Sequence, residues 1–286
     1  MSAKPVTAPL ISIVVPTFNS EGCLARNLQS LAEQTWRDFE VILSDGASRD
    51  ATLEIARDHA SRLPHLRIDS RPDQGVYDAI NRAIALARGE WILVLGSDDR
   101  LHAADTLATT AAALGASGAA IVYGDVIVTG PSLLGVPVGG RYAGPMPLVR
   151  LLKCNLCQQS IFYRRSLFAE LGTFDLRYRI WADWEFNLRA AFRAPMQWID
   201  VVIADYATTG TSSTQEDPVF AAEMPDYIRC ELARRPFDRA LWPLQNRLLH
   251  QANALRRRGR WRDALRQLFT YGVLVARRAT LALRTP

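Results

Sequence analysis

Apolar positions along the first half of the chain follow two alternating rhythms. ISIVVP (residues 11–16) is an unbroken β-rich run closed by Pro16, the pattern of a strand buried on both faces. Ser20 then precedes Leu24, Leu28 and Leu31, which share one helical face, so a helix capped by Ser20 is expected. FEVILS (39–44) restarts the strand pattern, and Asp50 is placed to cap a second helix. LRIDS (66–70) reads as a third strand. After Gly75, residues Ala79, Ile80, Ala83, Ile84 and Ala87 mark a third helix that Gly89 would end, and WILVL (91–95) is a fourth strand.

A helix over about 103–114 leads to AAIVYGD (119–125), a further strand ending in Asp125. Residues 129–147 are rich in Gly and Pro and read as a loop long enough to carry function. Strand and helix in strict alternation predict an α/β fold, a mostly parallel central sheet with helices on both faces.

Composition adds limits. The chain has 286 residues, 49% hydrophobic and 22% charged, enough for a substantial core and ordinary for a globular protein. Its apolar runs are far below the roughly 20 residues that span a bilayer, and MSAKPVTAPLIS is a poor signal peptide, so a cytoplasmic location is the expectation. Four cysteines make no disulfide framework, and Cys154 and Cys157, though spaced C-x-x-C, lack a second pair and are read as packing residues.

The net charge of +5 is unevenly spread: from Arg229 onward fourteen arginines stand against Glu231, Asp238 and Asp263, leaving the preceding chain net acidic. A basic end of this kind calls for an anionic surface, membrane lipid or nucleic acid.

In an open parallel sheet, ligands bind beyond the carboxyl ends of the strands. Those positions here hold Pro16, Thr17, Phe18 and Asn19; Asp45 and Gly46; Arg71, Asp73 and Gln74; Ser97, Asp98 and Asp99; and Asp125. Any one such Asp is an ordinary turn former or cap. Several converging on one cleft need a cation, and oxygen ligands suit Mg²⁺ or Mn²⁺ carrying a phosphate ester. Neither G-x-G-x-x-G after the first strand nor G-x-x-x-x-G-K-[ST] is present.

SIVVPTFNSEGCLARNLQSLAEQTWRDFEVILSDGASRDATLEIA, followed by DQGVYDAINRAIALARGEWILVLGSDD, closely resembles the nucleotide-binding half of family 2 glycosyltransferases, over roughly residues 10–215. The resemblance implies a GT-A, Rossmann-like fold and an inverting, metal-dependent transfer from a nucleotide-diphosphate sugar. It puts Pro16, Thr17 and Asn19 against the nucleoside, Asp45 on the base, commonly uracil, and Arg71, Asp73 and Gly75 along nucleotide and sugar. Tyr77, Asp78 and Asn81 match a helix start that either contacts sugar or packs. Ser97, Asp98 and Asp99 fall on the D-x-D site, with Ser97 replacing its first acid, Asp98 toward ribose or sugar, and Asp99 as metal ligand.

On the acceptor side, Gln158 and Gln159 stand where relatives have His-Gln, and Gly172, Phe174 and Asp175 match a G-x-F-D turn. Asp183 in WADWEF matches the general base, which takes the acceptor hydroxyl's proton; Glu185 is the competing carboxylate. Trp181 and Trp184 flank the base, one expected in the acceptor pocket and the other inside. TTGTSST (208–214) matches a loop that closes over the diphosphate, or is a solvated linker.

The expected organisation is a catalytic domain over 1–217, its nucleotide-sugar half about 10–127 and acceptor half about 128–217, followed by a basic helical extension over 218–286. Within that extension Leu248, Leu249, Ala252 and Leu255, then Trp261, Leu265, Leu268 and Phe269, are spaced as helices, either an interfacial pair at the inner face of a membrane or a hairpin on the catalytic domain. The expected function is transfer of sugar, UDP-linked, to a saccharide or lipid-linked acceptor, with Mn²⁺ or Mg²⁺ and without nucleic acid. A sugar nucleotidyltransferase and a non-catalytic nucleotide-sugar-binding scaffold are the competing readings.

Overall fold

The apolar run at residues 11–16 becomes β1 (Ile11–Thr17), every side chain of which is buried, as is every side chain of β2 (Phe39–Asp45). A computed structural model describes residues 8–131, 134–208, 210, 215–234 and 245–282. The first elements run α1 (Leu24–Ala32), α2 (Thr52–Asp58), β3 (Leu66–Ser70), α3 (Val76–Leu86), β4 (Trp91–Val94), β5 (Arg100–Leu101), α4 (Thr106–Ala116) and β6 (Ile121–Val128). There follow β7 (Arg141–Tyr142), α5 (Leu148–Leu151), β8 (Ile161–Arg164), α6 (Arg165–Leu171), α7 (Ala182–Ala191) and β9 (Met196–Tyr206), then α8 (Pro218–Arg234), α9 (Gln245–Arg257) and α10 (Trp261–Ala282).

Among the described residues the strands form one sheet, ordered β3-β2-β1-β4-β8-β6-β9-β5, with β7 beside β6. β1 to β4 are mutually parallel, and β6 runs parallel to β9. β8 enters antiparallel between β4 and β6, so the sheet is mixed. The parallel half is the expected one; β8, four residues long, carries too little periodicity to be read from sequence. Leu24, Leu28 and Leu31 of α1 are fully buried, each contributing about 1.5–3 kcal/mol, and Leu28→Ala would cost about 2–5 kcal/mol.

Three caps differ from expectation. α1 starts at Leu24, and Ser20 supports it through its carbonyl, which accepts from Cys23 and Leu24 N–H, while its hydroxyl faces Ser97. α3 already ends at Leu86, and Gly89 serves instead a close approach: a Cβ there would lie 2.5 Å from Ser12 N. At α2 the cap position is Ala51 rather than the expected Asp50, which lies one residue earlier and accepts from Thr52 N–H and Oγ1.

The chain divides into two compact units, one running to Met146 and resuming over Asn155–Glu216, the other made of Pro147–Cys154 and the residues from Asp217. In the second, α10 packs along α9 and against α8.

Candidate active site

β1, β2 and β3 end side by side, and one carboxylate ties the three ends together. Asp45, fully buried, accepts hydrogen bonds from Thr17 Oγ1, Ser48 N and Oγ, and Ser70 Oγ. Burial pushes its carboxyl up, but the bonds from Ser48, Ser70 and Thr17 outweigh that and hold the pKa below its ordinary value. Ser48 passes the order on: its hydroxyl accepts from Asn19 N–H at 2.8 Å. Asn19 sits at φ 47°, a left-handed conformation Asn tolerates, and its Oδ1 accepts from Arg49 N–H.

Above these ends lies a cavity of about 860 Å³. Of the expected nucleotide and sugar contacts, Pro16, Thr17, Asn19, Asp73, Gly75 and Asp98 line it. Asp45, Arg71, Asp78 and Asn81 do not. Asp45 lies beneath; Arg71 is exposed and pairs with Asp69; Asp78 accepts from Gln74 N–H at the start of α3. Asn81 spends both ends of its amide on the backbone of Phe174, its Nδ2 donating to the carbonyl at 2.8 Å and its Oδ1 accepting from N–H at 3.1 Å.

β4 runs out into the Gly96–Asp99 turn. Asp98 reaches the cavity, whereas Asp99 is buried with Oδ1 accepting from Ala207 N–H at 2.7 Å, just past β9. Burial, and next the charge of Asp98, push the Asp99 pKa well above the ordinary carboxylate value. Asp99 Oδ2 and Asp98 Oδ1 lie 2.8 and 3.0 Å from the point a Cβ on Gly96 would occupy, so both carboxylates crowd one small space that a side chain at residue 96 would fill. Among the described residues no three His, Cys, Asp or Glu side chains make a metal site on their own. One carboxylate at the cavity with a second, destabilised by burial, directly beside it is a donor set that fits a divalent ion whose other ligands would be diphosphate oxygens and water.

The first turn of α3 faces two ways. Gly75, Val76 and Ala79 line the cavity, while Tyr77 turns to the acceptor half, where its hydroxyl meets the Ile180 carbonyl and Asp183 Oδ1. Asp183, in the first turn of α7, also accepts from Asn155 Nδ2 at 2.7 Å; Asn155 Oδ1 accepts from Asn187, and Asn187 Oδ1 from the Tyr163 hydroxyl. Burial dominates and raises the Asp183 pKa to about 6, against the hydrogen bonds from Tyr77 and Asn155. The buried Cys157 thiol is raised by burial and then by the charges of both Asp99 and Asp183.

Glu185 is turned to Arg189, which bonds both of its oxygens and also the carbonyls of Leu171 and Thr173. Trp181 and Trp184 meet edge to face at 5.2 Å, both half-buried; neither is in the core and neither lines the cavity, in place of the expected split between them. Gln159 is buried beside Asp99, and its Nε2, like that of Gln158, makes no hydrogen bond of normal geometry.

Asp125 is not at the cleft. Held within β6, it binds Arg141, the N–H groups of Ala143 and Gly144, and Trp198 Nε1, and so anchors residues 141–144; Thr129, Gly130 and Pro131, just after β6, reach the cavity wall. Of TTGTSST, Thr208 and Gly210 line the cavity and the rest lies outside the described residues.

Three supporting residues were missed from sequence. Asn27 of α1, fully buried, donates to the carbonyls of Gly96 and Asp99 and fixes the carboxylate turn; Asn155 and Asn187 fix the second acid. Asn27 had a signal: it falls on the Leu24–Leu28–Leu31 face, where a polar side chain needs a partner.

Residues 12–172 match the sequence profile of glycosyl transferase family 2. Over 226 residues the chain is 44% identical to a PGL/p-HBAD biosynthesis glycosyltransferase of Mycobacterium bovis, covering 77% of this chain and 86% of that one. In structure it is similar to S. aureus TarS 1–349 in complex with UDP-GlcNAc (TM-score 0.62, 23% identity, 80% of this chain and 66% of that one). It is also similar to the Pyrobaculum calidifontis mannosyltransferase PcManGT in complex with GDP-Man and Mn²⁺ (TM-score 0.59, 20% identity, 100% of this chain and 84% of that one). With its GT-A-like sheet and the profile match over more than half its length, the chain belongs to glycosyl transferase family 2.

Proposed function

We propose that the chain transfers a sugar, with inversion, from a UDP-sugar to a saccharide or lipid-linked acceptor in glycoconjugate biosynthesis. The observation that carries this is the two-sided first turn of α3, which borders the cavity on one side and on the other binds Asp183, a buried carboxyl poised near neutrality. A base with a pKa close to working pH is both ionised and a useful proton acceptor.

In this reading the nucleotide lies along Pro16, Thr17 and Asn19, with Asp45 ordering the strand ends beneath it. Asp73 and Gly75 border the sugar diphosphate. Asp99, with Asp98 beside it, would hold Mn²⁺ or Mg²⁺, which when bound supplies positive charge to the leaving diphosphate. Asp183 accepts the proton of the acceptor hydroxyl as that oxygen bonds the anomeric carbon and the bond from carbon to diphosphate oxygen breaks. The Nε2 group of Gln158, which has no hydrogen-bond partner, is available as a donor to oxygens of donor or acceptor, and that of Gln159 lies beside Asp99. Glu185 is engaged by Arg189, which supports Asp183 as the base.

The UDP complex of TarS supports the donor class, the Mn²⁺ complex of PcManGT supports the ion, and the mycobacterial relative's name supports a glycoconjugate acceptor. The test is a thermal-shift screen of UDP-, GDP- and dTDP-sugars with Mn²⁺, followed by NMR of the product's anomeric configuration. Stabilisation by a UDP-sugar and an inverted product are expected. A retained configuration would remove the direct-displacement role of Asp183, and stabilisation by a nucleoside triphosphate with sugar phosphate alone would favour nucleotidyl transfer.

A further inference from the structure

α10 shows most of its large apolar side chains to solvent and packs chiefly through small and polar ones. At about 100° per residue, Ala264, Gln267, Thr270 and Leu274 fall on one side of the helix, and all four are buried. Trp261, Leu265, Leu268, Phe269 and Val275 fall on a second side, roughly 140° around the axis. Of these Trp261 is 59%, Leu265 62% and Phe269 76% exposed. A helix whose role ended with packing on α8 and α9 would have the opposite assignment, because burial of large apolar groups is what drives such packing.

The same end of the helix pair is strongly basic. α9 stops in a left-handed turn at Gly259 (φ 73°), with Gly259 N–H donating to the Arg256 carbonyl and Arg260 N–H to that of Leu255. Chain reversal there gathers Arg256, Arg257, Arg258, Arg260, Arg262 and Arg266 around the start of α10, all exposed. Asp263 is the one acid in that stretch and pairs with Arg260 and Arg266. Arg262 and Arg266 border the outer apolar face on its Phe269 side by helical position.

We propose that this outer face of α10 docks on an anionic lipid bilayer, with Trp261, Leu265, Leu268 and Phe269 entering the acyl boundary and the arginines meeting headgroup phosphates. Apolar groups beside a one-signed charge cluster match the two layers of such a surface. A second copy of the chain would bring arginines against arginines, and nucleic acid would leave the apolar groups without use. Among the described residues no helix is long and apolar enough to cross a membrane, so the contact lies at the surface. The proposal is independent of the sugar donor and of Asp183, and fails or stands without them.

The test is flotation of the full chain with vesicles of phosphatidylcholine alone or mixed with phosphatidylglycerol. At least tenfold more protein should float with the anionic vesicles. Leu265→Glu/Phe269→Glu and, separately, Arg257→Glu/Arg262→Glu should each lower that binding at least tenfold while leaving the far-UV melting curve unchanged, since all four side chains are exposed. The proposal is overturned if the wild-type chain stays in solution, if both vesicle types bind it equally, or if Leu265→Glu/Phe269→Glu floats as before. It is equally overturned if sedimentation velocity shows a dimer that Leu265→Glu/Phe269→Glu dissolves, since a second copy would then be the occupant.

Discussion

The Tyr77 hydroxyl lies 2.6 Å from the Ile180 carbonyl oxygen and 2.8 Å from Asp183 Oδ1. A phenol has one hydrogen, so it cannot donate to both acceptors together. With Asp183 ionised, carboxylate and carbonyl compete for that hydrogen. Once Asp183 is protonated it can donate to Tyr77, and Tyr77 to Ile180, so the network is satisfied when the proton arrives. Tyr77 therefore holds the Asp183 carboxyl in place through both of its states.

Removal of that hydroxyl takes a donor from the ionised form. Tyr77→Phe should move the acid limb of the kcat/KM profile upward from about 6, by about one pH unit for one charge-assisted bond. The rate below pH 6 should drop roughly tenfold and recover at pH 9. An acid limb left in place would refute the role; a loss equal at all pH values would indicate a merely structural one.

Asp183 also makes a prediction about stability. Its carboxyl ionises near 6 in the folded chain and near 4 when unfolded. Between those values the native state holds the extra proton, so this group's contribution falls as pH rises and reaches a constant penalty above the folded value, on the order of 3 kcal/mol. Asp183→Asn, which imitates the protonated acid, should melt at higher temperature than wild type at pH 8, with the difference fading toward pH 4. Equal melting temperatures at pH 8 would contradict the burial argument.

A substitution at Gly96 would separate folding from the proposed ion binding. In Gly96→Ala the new Cβ would meet Asp99 Oδ2 and Asp98 Oδ1 at 2.8 and 3.0 Å. Carboxylate tips can move aside, so the fold should persist. Titration calorimetry of UDP in Mn²⁺ should show about tenfold or more weaker binding, corresponding to roughly 1.4 kcal/mol. Unchanged affinity would show that the two acids do not share an ion.

Asn27 reaches the same turn from behind. Asn27→Ala leaves the carbonyls of Gly96 and Asp99 without their side-chain donor, a loss of about 1–3 kcal/mol that chemical denaturation would measure. Metal-dependent UDP affinity should fall with it.

The parallel half of the sheet was legible because β1 and β2 hold continuous apolar cores, IVV and VIL, in strands buried on both faces. Strand-end positions followed from topology, and seven of them line one cavity. β8 escaped notice because four residues hold no rhythm. Asp125 was misplaced because a bulge carries β6 on past it, to Val128, so an acid that reads as a strand end is an anchor inside the sheet. Asn155 and Asn187 were invisible for another reason: a chain of hydrogen-bonded amides has no period, and its members lie far apart in sequence until α7 folds against the segment before β8.

Measuring transfer and UDP binding on one preparation of Asp183→Asn at pH 8, with Mn²⁺ and the donor from the screen, tests the account most directly. UDP affinity within about twofold of wild type, with transfer reduced by about 10²–10⁴, is the expected result. Transfer at the wild-type rate would contradict it.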